Sequence, residues 1–352
     1  MNLLMNERTG ALSIIKEAMH YESVENNNVI CHLCSHECKI APKSRGICKV
    51  RENRDGRLFS LIYNTVSSEA LDPVEKKPLY HFKPGSLSYS LGTIGCNFRC
   101  KNCQNWQIAR MSVEQSPSYT KQITSEYVVS KALALNAESI AWTYNEPTIW
   151  HEFTYESAKL ANEKGLSNIY VSNGYITPEA LKHLSPYLDA MSIDIKSFRN
   201  KFYEQVCGAS LEPVLKSTHL AKKLGIHVEI VTLLIPNMND SSDEIRELSR
   251  WIFQKLGPDT PIHFSRFHPQ HEMSNVGPTP ISILENAYNI ARDEGLDFVY
   301  LGNVPGSKFV NTFCPSCGEK LIERDVFSVN SSKLGENYKC FKCNRFIPIK
   351  TK

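Results

Sequence analysis

Nothing in these 352 residues approaches the roughly 18–20 consecutive apolar positions that a membrane-spanning helix needs. The first residues, Met1-Asn-Leu-Leu-Met-Asn-Glu-Arg, lack a basic segment followed by an apolar one, so no secretory signal is expected there. Charge of one sign is also scarce. A net charge of +3 predicts no strong general attraction to nucleic acid or to a membrane surface. Twelve cysteines are too few and too clustered for a disulfide scaffold in a chain this long. Eleven of them fall in groups of four, three and four, with Cys207 alone, which is a metal-binding pattern suited to a reducing, cytoplasmic setting. What is present is ordinary for a globular protein: 41% hydrophobic and 22% charged residues, enough for a large core with one or two small appendages.

The stretch Ser90-Leu-Gly-Thr-Ile-Gly-Cys-Asn-Phe-Arg-Cys-Lys-Asn-Cys-Gln-Asn-Trp106 organises the rest. Cys96, Cys100 and Cys103 are spaced C-x3-C-x2-C, and a loop this short aims three thiolates at one point. Three is one fewer than a closed zinc site or a fully ligated four-iron cluster takes, and an open metal position is where chemistry happens. The apolar run from Leu87 to Ile94 reads as a strand, and the glycines after it let the chain bend, so the thiols sit at a strand's C-terminal end. A zinc loop with a distant fourth ligand, or a cluster of buried thiols, is the competing reading.

Residues 8–22 show helical periodicity. Cys31, Cys34, Cys38 and Cys48 follow at C-x2-C-x3-C-x9-C, which fits zinc or an auxiliary iron–sulfur cluster, with the position ahead of a redox core tilting towards the latter. His32 and His36 read as exposed loop residues rather than replacement ligands. Residues 57–66 alternate like a strand. The proline-punctuated connector 72–85 either lines a substrate mouth with its basic residues, Tyr80 and Phe82, or packs the two aromatics against the core.

From Leu87 onward, β-rich runs alternate with amphipathic helical segments, near 87–93, 139–143, 168–172, 190–195, 227–235, 262–267 and 298–301 for strands and near 125–136, 150–164, 178–188, 213–224, 242–256 and 281–294 for helices. Thr177-Pro178 marks one helix start, Ser241-x-x-Glu244 is a capping box at another, and Gly165, Gly225, Gly257 and Gly295 mark helix ends. Such alternation predicts an α/β fold with a parallel sheet, either doubly wound or a partial barrel, whose functional residues lie at the C-terminal ends of the strands. Polar groups do recur there: Thr143-Tyr-Asn145-Glu146-Pro, Ser172-Asn173-Gly, Asp194-Ile-Lys196, Glu229 with Thr232, and Ser265-Arg-Phe-His268. Cys207 reads as a buried structural thiol, with hydrogen-atom donation the sharper alternative. After a glycine- and proline-marked boundary at 302–313, Cys314-Pro-Ser-Cys317 and Cys340-Phe-Lys-Cys343 form two C-x2-C knuckles separated by 22 residues, a zinc-ribbon signal that iron also fits, with a strand expected at 321–329.

The spacing and Gly-Cys-Asn lead-in of the central cysteines resemble the radical S-adenosylmethionine (SAM) enzymes, and specifically their pyruvate formate-lyase activating enzyme-like branch. The resemblance implies a partial (β/α)6 barrel, a [4Fe–4S] cluster on Cys96, Cys100 and Cys103, and SAM chelated to the fourth iron, with one-electron cleavage to a 5′-deoxyadenosyl radical. It implies SAM contacts from Asn145, Glu146, Ser172, Asn173, Asp194, Lys196 and His268. Asn102 stands where that family often has an aromatic, and Asn145 where the branch has glycine. The whole chain, through Glu-Lys-Lys-Pro-Leu-Tyr-His-Phe, Leu-Leu-Ile-Pro-Asn, His-Phe-Ser-Arg-Phe-His-Pro, Gly-Asn-Val-Pro-Gly and the terminal cysteine groups, resembles the radical SAM enzyme of the AmmeMemoRadiSam system. That implies partners of the Memo and AMMECR families and a flavodoxin- or ferredoxin-like reductant, and it leaves the substrate open, with a protein as one candidate. The expected organisation is an N-terminal four-cysteine region (1–84), a core barrel (85–305) and a C-terminal zinc-ribbon-like domain (306–352). The alternatives are an activase of glycyl-radical enzymes, a nucleic-acid-binding zinc-ribbon protein, and an electron carrier without SAM chemistry.

Overall fold

The computed structural model describes residues 15–325, 328–331 and 333–351. Seven parallel strands form its centre: β1 (Leu87–Gly92), β2 (Ser139–Trp142), β3 (Ser167–Ser172), β4 (Ala190–Asp194), β5 (His227–Leu234), β6 (Ile262–Arg266) and β7 (Val299–Gly302). They lie side by side in chain order. Six helices connect them: α1 (Ser125–Ala134), α2 (His151–Glu163), α3 (Pro178–Leu184), α4 (Leu211–Lys223), α5 (Ser242–Lys255) and α6 (Ile281–Asp293). Crossovers of one hand in unbroken sequential order put every helix on the same face. A doubly wound sheet would reverse its strand order, so this is an open partial barrel of six strand–helix units and a seventh strand.

The strands are apolar because both faces are covered. All four residues of β2 are buried, and the helices pack their apolar stripes against the outer face. Trp142, Trp150 and Phe153 form an aromatic stack, with rings 5.7 Å apart edge-on and 4.9 Å apart stacked, and Trp150 Nε1 donates to the carbonyl of Ile62 at 2.8 Å. That bond fixes the start of α2 against the segment ahead of the barrel. The sheet also takes its antiparallel edge from Ser68–Pro73, which pairs with β1. The barrel sheet therefore begins before residue 85, because the Pro84-Gly85 turn folds the connector back as a hairpin partner.

Other departures from the sequence expectations are local. The helix expected over 8–22 lies partly outside the described residues; within them, Lys16–Glu17 and Tyr21–Val24 are strands of small antiparallel sheets, held there by pairing with Arg57–Ser60 and Asn28–Cys31. The single strand expected at 321–329 is a hairpin of Lys320–Asp325 and Ser328–Asn330. Glu229 is not at the rim. It sits early in β5, fully buried, and accepts from Tyr80 N (3.0 Å), His81 N (2.7 Å), His227 (2.9 Å) and His263 (2.8 Å). Burial pushes its carboxyl up, but the two histidine hydrogen bonds outweigh this and hold it well below the usual range. It anchors the connector, whose Tyr80 and Phe82 pack into the core. Arg324 then ties the C-terminal unit on, donating to Tyr80 O at 2.7 Å and stacking on the Tyr80 ring. Among the described residues, no helix is long and apolar enough to cross a membrane.

Candidate active site at the open end of the barrel

A cavity of about 1550 Å³, mouth included, opens where β1 to β4 end. Cys96, Cys100, Cys103, Asn145, Glu146, Ser172, Asn173, Asp194 and Lys196 all line it. Of the residues expected to meet there, His268 does not. β6 ends at Arg266, Phe267 turns inward with its amide on Thr279 Oγ1 (3.1 Å), and His268 is left exposed beyond the rim, while Ser265 and Asn303 face the cavity instead. Lys76 and Lys77 also line it, so the connector contributes its lysines to the cavity and its aromatics to the core.

The cysteine loop is held from several sides. Arg99 N donates to Cys207 O (2.7 Å) and Lys101 N to Val206 O (3.1 Å), docking the loop onto a short π-helix, Tyr203–Cys207. Asn145 bridges its start: Oδ1 accepts from Thr93 N (3.1 Å) and Nδ2 donates to Gly95 O (2.8 Å). Where a glycine would leave the loop free, this asparagine braces it. His36, expected as a loop residue, is half-buried with Nε2 2.8 Å from Asn97 O, while His32 is the surface residue expected. Gly95 is required for two reasons. Its φ is +84°, and a Cβ there would come within 2.7 Å of Val50 Cγ1 and 3.1 Å of Cys48 O. Gly95→Ala is expected to cost roughly 2–4 kcal/mol from left-handed strain plus overpacking, read as a lowered urea midpoint. Val50→Ala combined with it should cost less than the sum of the two; additive losses would show the clash is not the cause.

Glu146 is buried just beyond the end of β2, and among the described residues it has no ion-pair partner. Its Oε1 accepts from Thr148 N (2.9 Å) and Ser172 Oγ (2.8 Å), and Oε2 from Asn173 N (2.8 Å). Burial nevertheless raises its carboxyl above the usual range. Asn173 in turn donates from Nδ2 to Asn97 Oδ1 (2.8 Å), linking this carboxylate to the cysteine loop. Asp194 and Lys196 pair at 3.0 Å; burial works to lower the ammonium pKa, but Asp194 and the nearby Cys100 thiolate outweigh it and hold it well above the ordinary value. Burial raises the thiols of Cys96 and Cys103, whereas a hydrogen bond from Cys207 draws Cys100 down to about 7. Cys207 is fully buried beside Cys100, a neighbour that no sequence spacing announces.

The three cysteine groups differ in how tightly they close. Cys314, Cys317, Cys340 and Cys343 bring their sulfurs within 4.8 Å of one another, with contacts of 3.5 and 3.6 Å across the group. A tetrahedral ion with metal–sulfur bonds near 2.3 Å spaces its thiolates about 3.8 Å apart, so this group fits one ion. Among the described residues, neither the Cys96 trio nor any three of Cys31, Cys34, Cys38 and Cys48 close that far. The latter four line a small pocket together with Leu33, Ile40, Ile47 and Ile149. Two buried polar atoms at the central site, Asn97 Nδ2 and Asn102 Oδ1, have no partner among the described residues. Three spread thiols, an uncompensated carboxylate and orphaned amide groups fit a cluster with a cationic ligand.

Residues 91–252 match the family model of the radical SAM superfamily. An uncharacterized protein of Methanocaldococcus jannaschii is 46% identical over 336 residues, 95% of this chain and 99% of that protein. The chain belongs to the radical SAM superfamily. It is 25% identical over 170 residues (45% of this chain, 66% of the relative) to the pyruvate formate-lyase-activating enzyme of Clostridium pasteurianum. To a GTP 3′,8-cyclase of Haemophilus influenzae it is 24% identical over 195 residues, 54% and 55% of the two chains. Among solved structures, a domain of pyruvate-formate lyase-activating enzyme from Bacteroides vulgatus aligns with a TM-score of 0.42 and 16% identity, over 47% of this chain and all of that one. Members of this superfamily such as these activating enzymes and cyclases are enzymes, and so is this chain.

Proposed function

We propose that this chain reductively cleaves SAM and uses the resulting radical to abstract hydrogen from a substrate. The observation that carries the reading is the buried Glu146 carboxylate, held by Ser172 and Asn173 in the same cavity as three convergent cysteines. Cys96, Cys100 and Cys103 would hold a [4Fe–4S] cluster, which would supply the electron for cleavage of SAM to methionine and a 5′-deoxyadenosyl radical. The chain's own residues bind and orient. Glu146 offers a desolvated anion to the SAM ammonium, which relieves its burial cost. Lys196, kept protonated by Asp194, offers donors to a carboxylate or a ribose hydroxyl. Asn145 keeps the cluster loop in place from behind.

The test is to reconstitute Glu146→Gln and Lys196→Met separately and measure SAM affinity. Each removes a hydrogen bond to a charged group, so affinity should fall about 10- to 100-fold with cluster iron unchanged. Falling iron with unchanged SAM affinity would sink the site assignment.

We further read the C-terminal four-cysteine group as a zinc-ribbon-like ion site and the N-terminal cage as an auxiliary iron–sulfur site, on the difference in closure described above. The division into an N-terminal four-cysteine region, a barrel and a C-terminal unit belongs to the same proposal. So do the Memo- and AMMECR-family partners, the flavodoxin- or ferredoxin-like reductant and a protein substrate; they rest on the AmmeMemoRadiSam resemblance. The grouping of eleven of the twelve cysteines as candidate metal ligands supports a reducing, cytoplasmic setting. The activase reading draws on similarity to the activating enzymes; a glycyl radical raised on a partner protein would favour it.

A further inference from the structure

Three histidines outside the cavity meet at one point. His20 stands in the turn between Lys16–Glu17 and Tyr21–Val24, His151 is the first residue of α2, and His183 lies in the last turn of α3. His20 Nε2 is 3.1 Å from His151 Nε2 and 3.2 Å from His183 Nδ1, and the latter two are 3.3 Å apart. Hydrogen bonding alone does not satisfy this triangle. Each converging nitrogen carries either a proton or a lone pair. Three atoms of two kinds leave at least one of the three contacts between like partners, two lone pairs or two N–H groups facing each other. A cation accepting all three lone pairs removes the conflict. The edges also fit: a tetrahedral ion with metal–nitrogen bonds near 2.0–2.1 Å spaces its imidazoles about 3.3–3.4 Å apart.

We propose that His20, His151 and His183 form a binding site for a divalent transition metal of the zinc class, separate from the three cysteine groups. Three imidazoles suit zinc and its late first-row neighbours and leave a fourth position for water. The surroundings place the rings before any ion arrives. Next to His151, Glu152 accepts from Met19 N (2.7 Å) and from Arg51 Nη2 (2.6 Å to each oxygen), which seats the His20 turn on the start of α2. Tyr155 stacks on His183 at 4.2 Å. Arg51 is neutralised by Glu152, so the pair adds no net positive charge beside the incoming cation. Among the described residues His151 Nδ1 has no partner, so its tautomer is set within the trio. Because His20 belongs to the N-terminal region and the other two to the barrel, the ion would cross-link them.

The experiment uses full-length protein whose cysteine sites are first filled with iron, sulfide and no more than one equivalent of zinc, which the four C-terminal thiolates take first; the protein is then titrated with cobalt(II). Wild type should take up one further cobalt, with ligand-field bands of nitrogen coordination and no thiolate-to-cobalt charge transfer. His183→Ala and His20→Asn should each weaken that binding at least tenfold. Asparagine is chosen at position 20 because it tolerates the left-handed backbone there, φ 55°, so the turn survives the loss of the ligand. Equal cobalt uptake by wild type and both variants, no uptake beyond the cysteine sites, or thiolate bands on the extra equivalent would each overturn the proposal.

Discussion

Alanine in place of Cys100 is expected to take 5′-deoxyadenosine formation below detection while the chain stays folded. The loop around it does not depend on that side chain: Arg99 and Lys101 bond to the backbone of Val206 and Cys207, and Glu272 N donates to Lys101 O at 3.0 Å. What disappears is one of three iron ligands, and two thiolates do not hold the cluster that leaves an open iron for SAM. Cys207 is the informative control, because its thiol interacts with that of Cys100. Cys207→Ala should keep cluster and activity, since it removes a neighbour and not a ligand. The double variant should match Cys100→Ala; if it alone is inactive, Cys207 substitutes as a ligand. Undiminished product from Cys100→Ala, measured anaerobically with dithionite and SAM, would refute the radical chemistry assigned to this loop.

The barrel was legible in the sequence because its signals are local and repeated. The strands are short apolar runs, and Thr177 Oγ1 does accept from Ala180 N (3.3 Å) as its position before Pro178 indicated. The capping box at Ser241 is only half formed: Ser241 caps Glu244 N, but the Glu244 carboxylate reaches away to Phe198 N (2.7 Å), fixing the loop after Lys196. A tertiary partner outcompeted the local one. The same competition defeats the helical periodicity near residue 20, where strand pairing decides the backbone. The positions named for SAM and cluster that do line the cavity were readable as cysteines or polar groups at strand ends. His268 is the exception in placement: β6 ends at Arg266, Phe267 takes the inward position, and His268 stands exposed outside the cavity lining. Asn145's brace, Cys207's contact with Cys100 and the histidine trio join residues far apart in the chain, so no spacing encodes them.

Alanine at Cys34 is expected to remove about half of the cluster iron and leave the cluster on Cys96, Cys100 and Cys103 intact, if both sites hold four-iron clusters. The expectation rests on spacing. The four N-terminal thiols do not approach as ligands of one ion do, whereas the C-terminal four do. The cage also abuts the catalytic loop: Gly95 packs against Val50 and Cys48 O, and Arg99 Nη2 donates to Ile47 O at 2.7 Å. A redox centre placed there is positioned to pass electrons to the loop. Turnover of Cys34→Ala should therefore fall further with a protein reductant than with dithionite, which reaches the catalytic cluster directly. A purely structural cage would lower both rates alike, and loss of zinc rather than iron would assign the cage to a single ion. Iron and sulfide content, the electron paramagnetic resonance of each reduced cluster, and the two turnover rates together separate these outcomes. Unchanged iron in the variant would remove the auxiliary cluster from the mechanism.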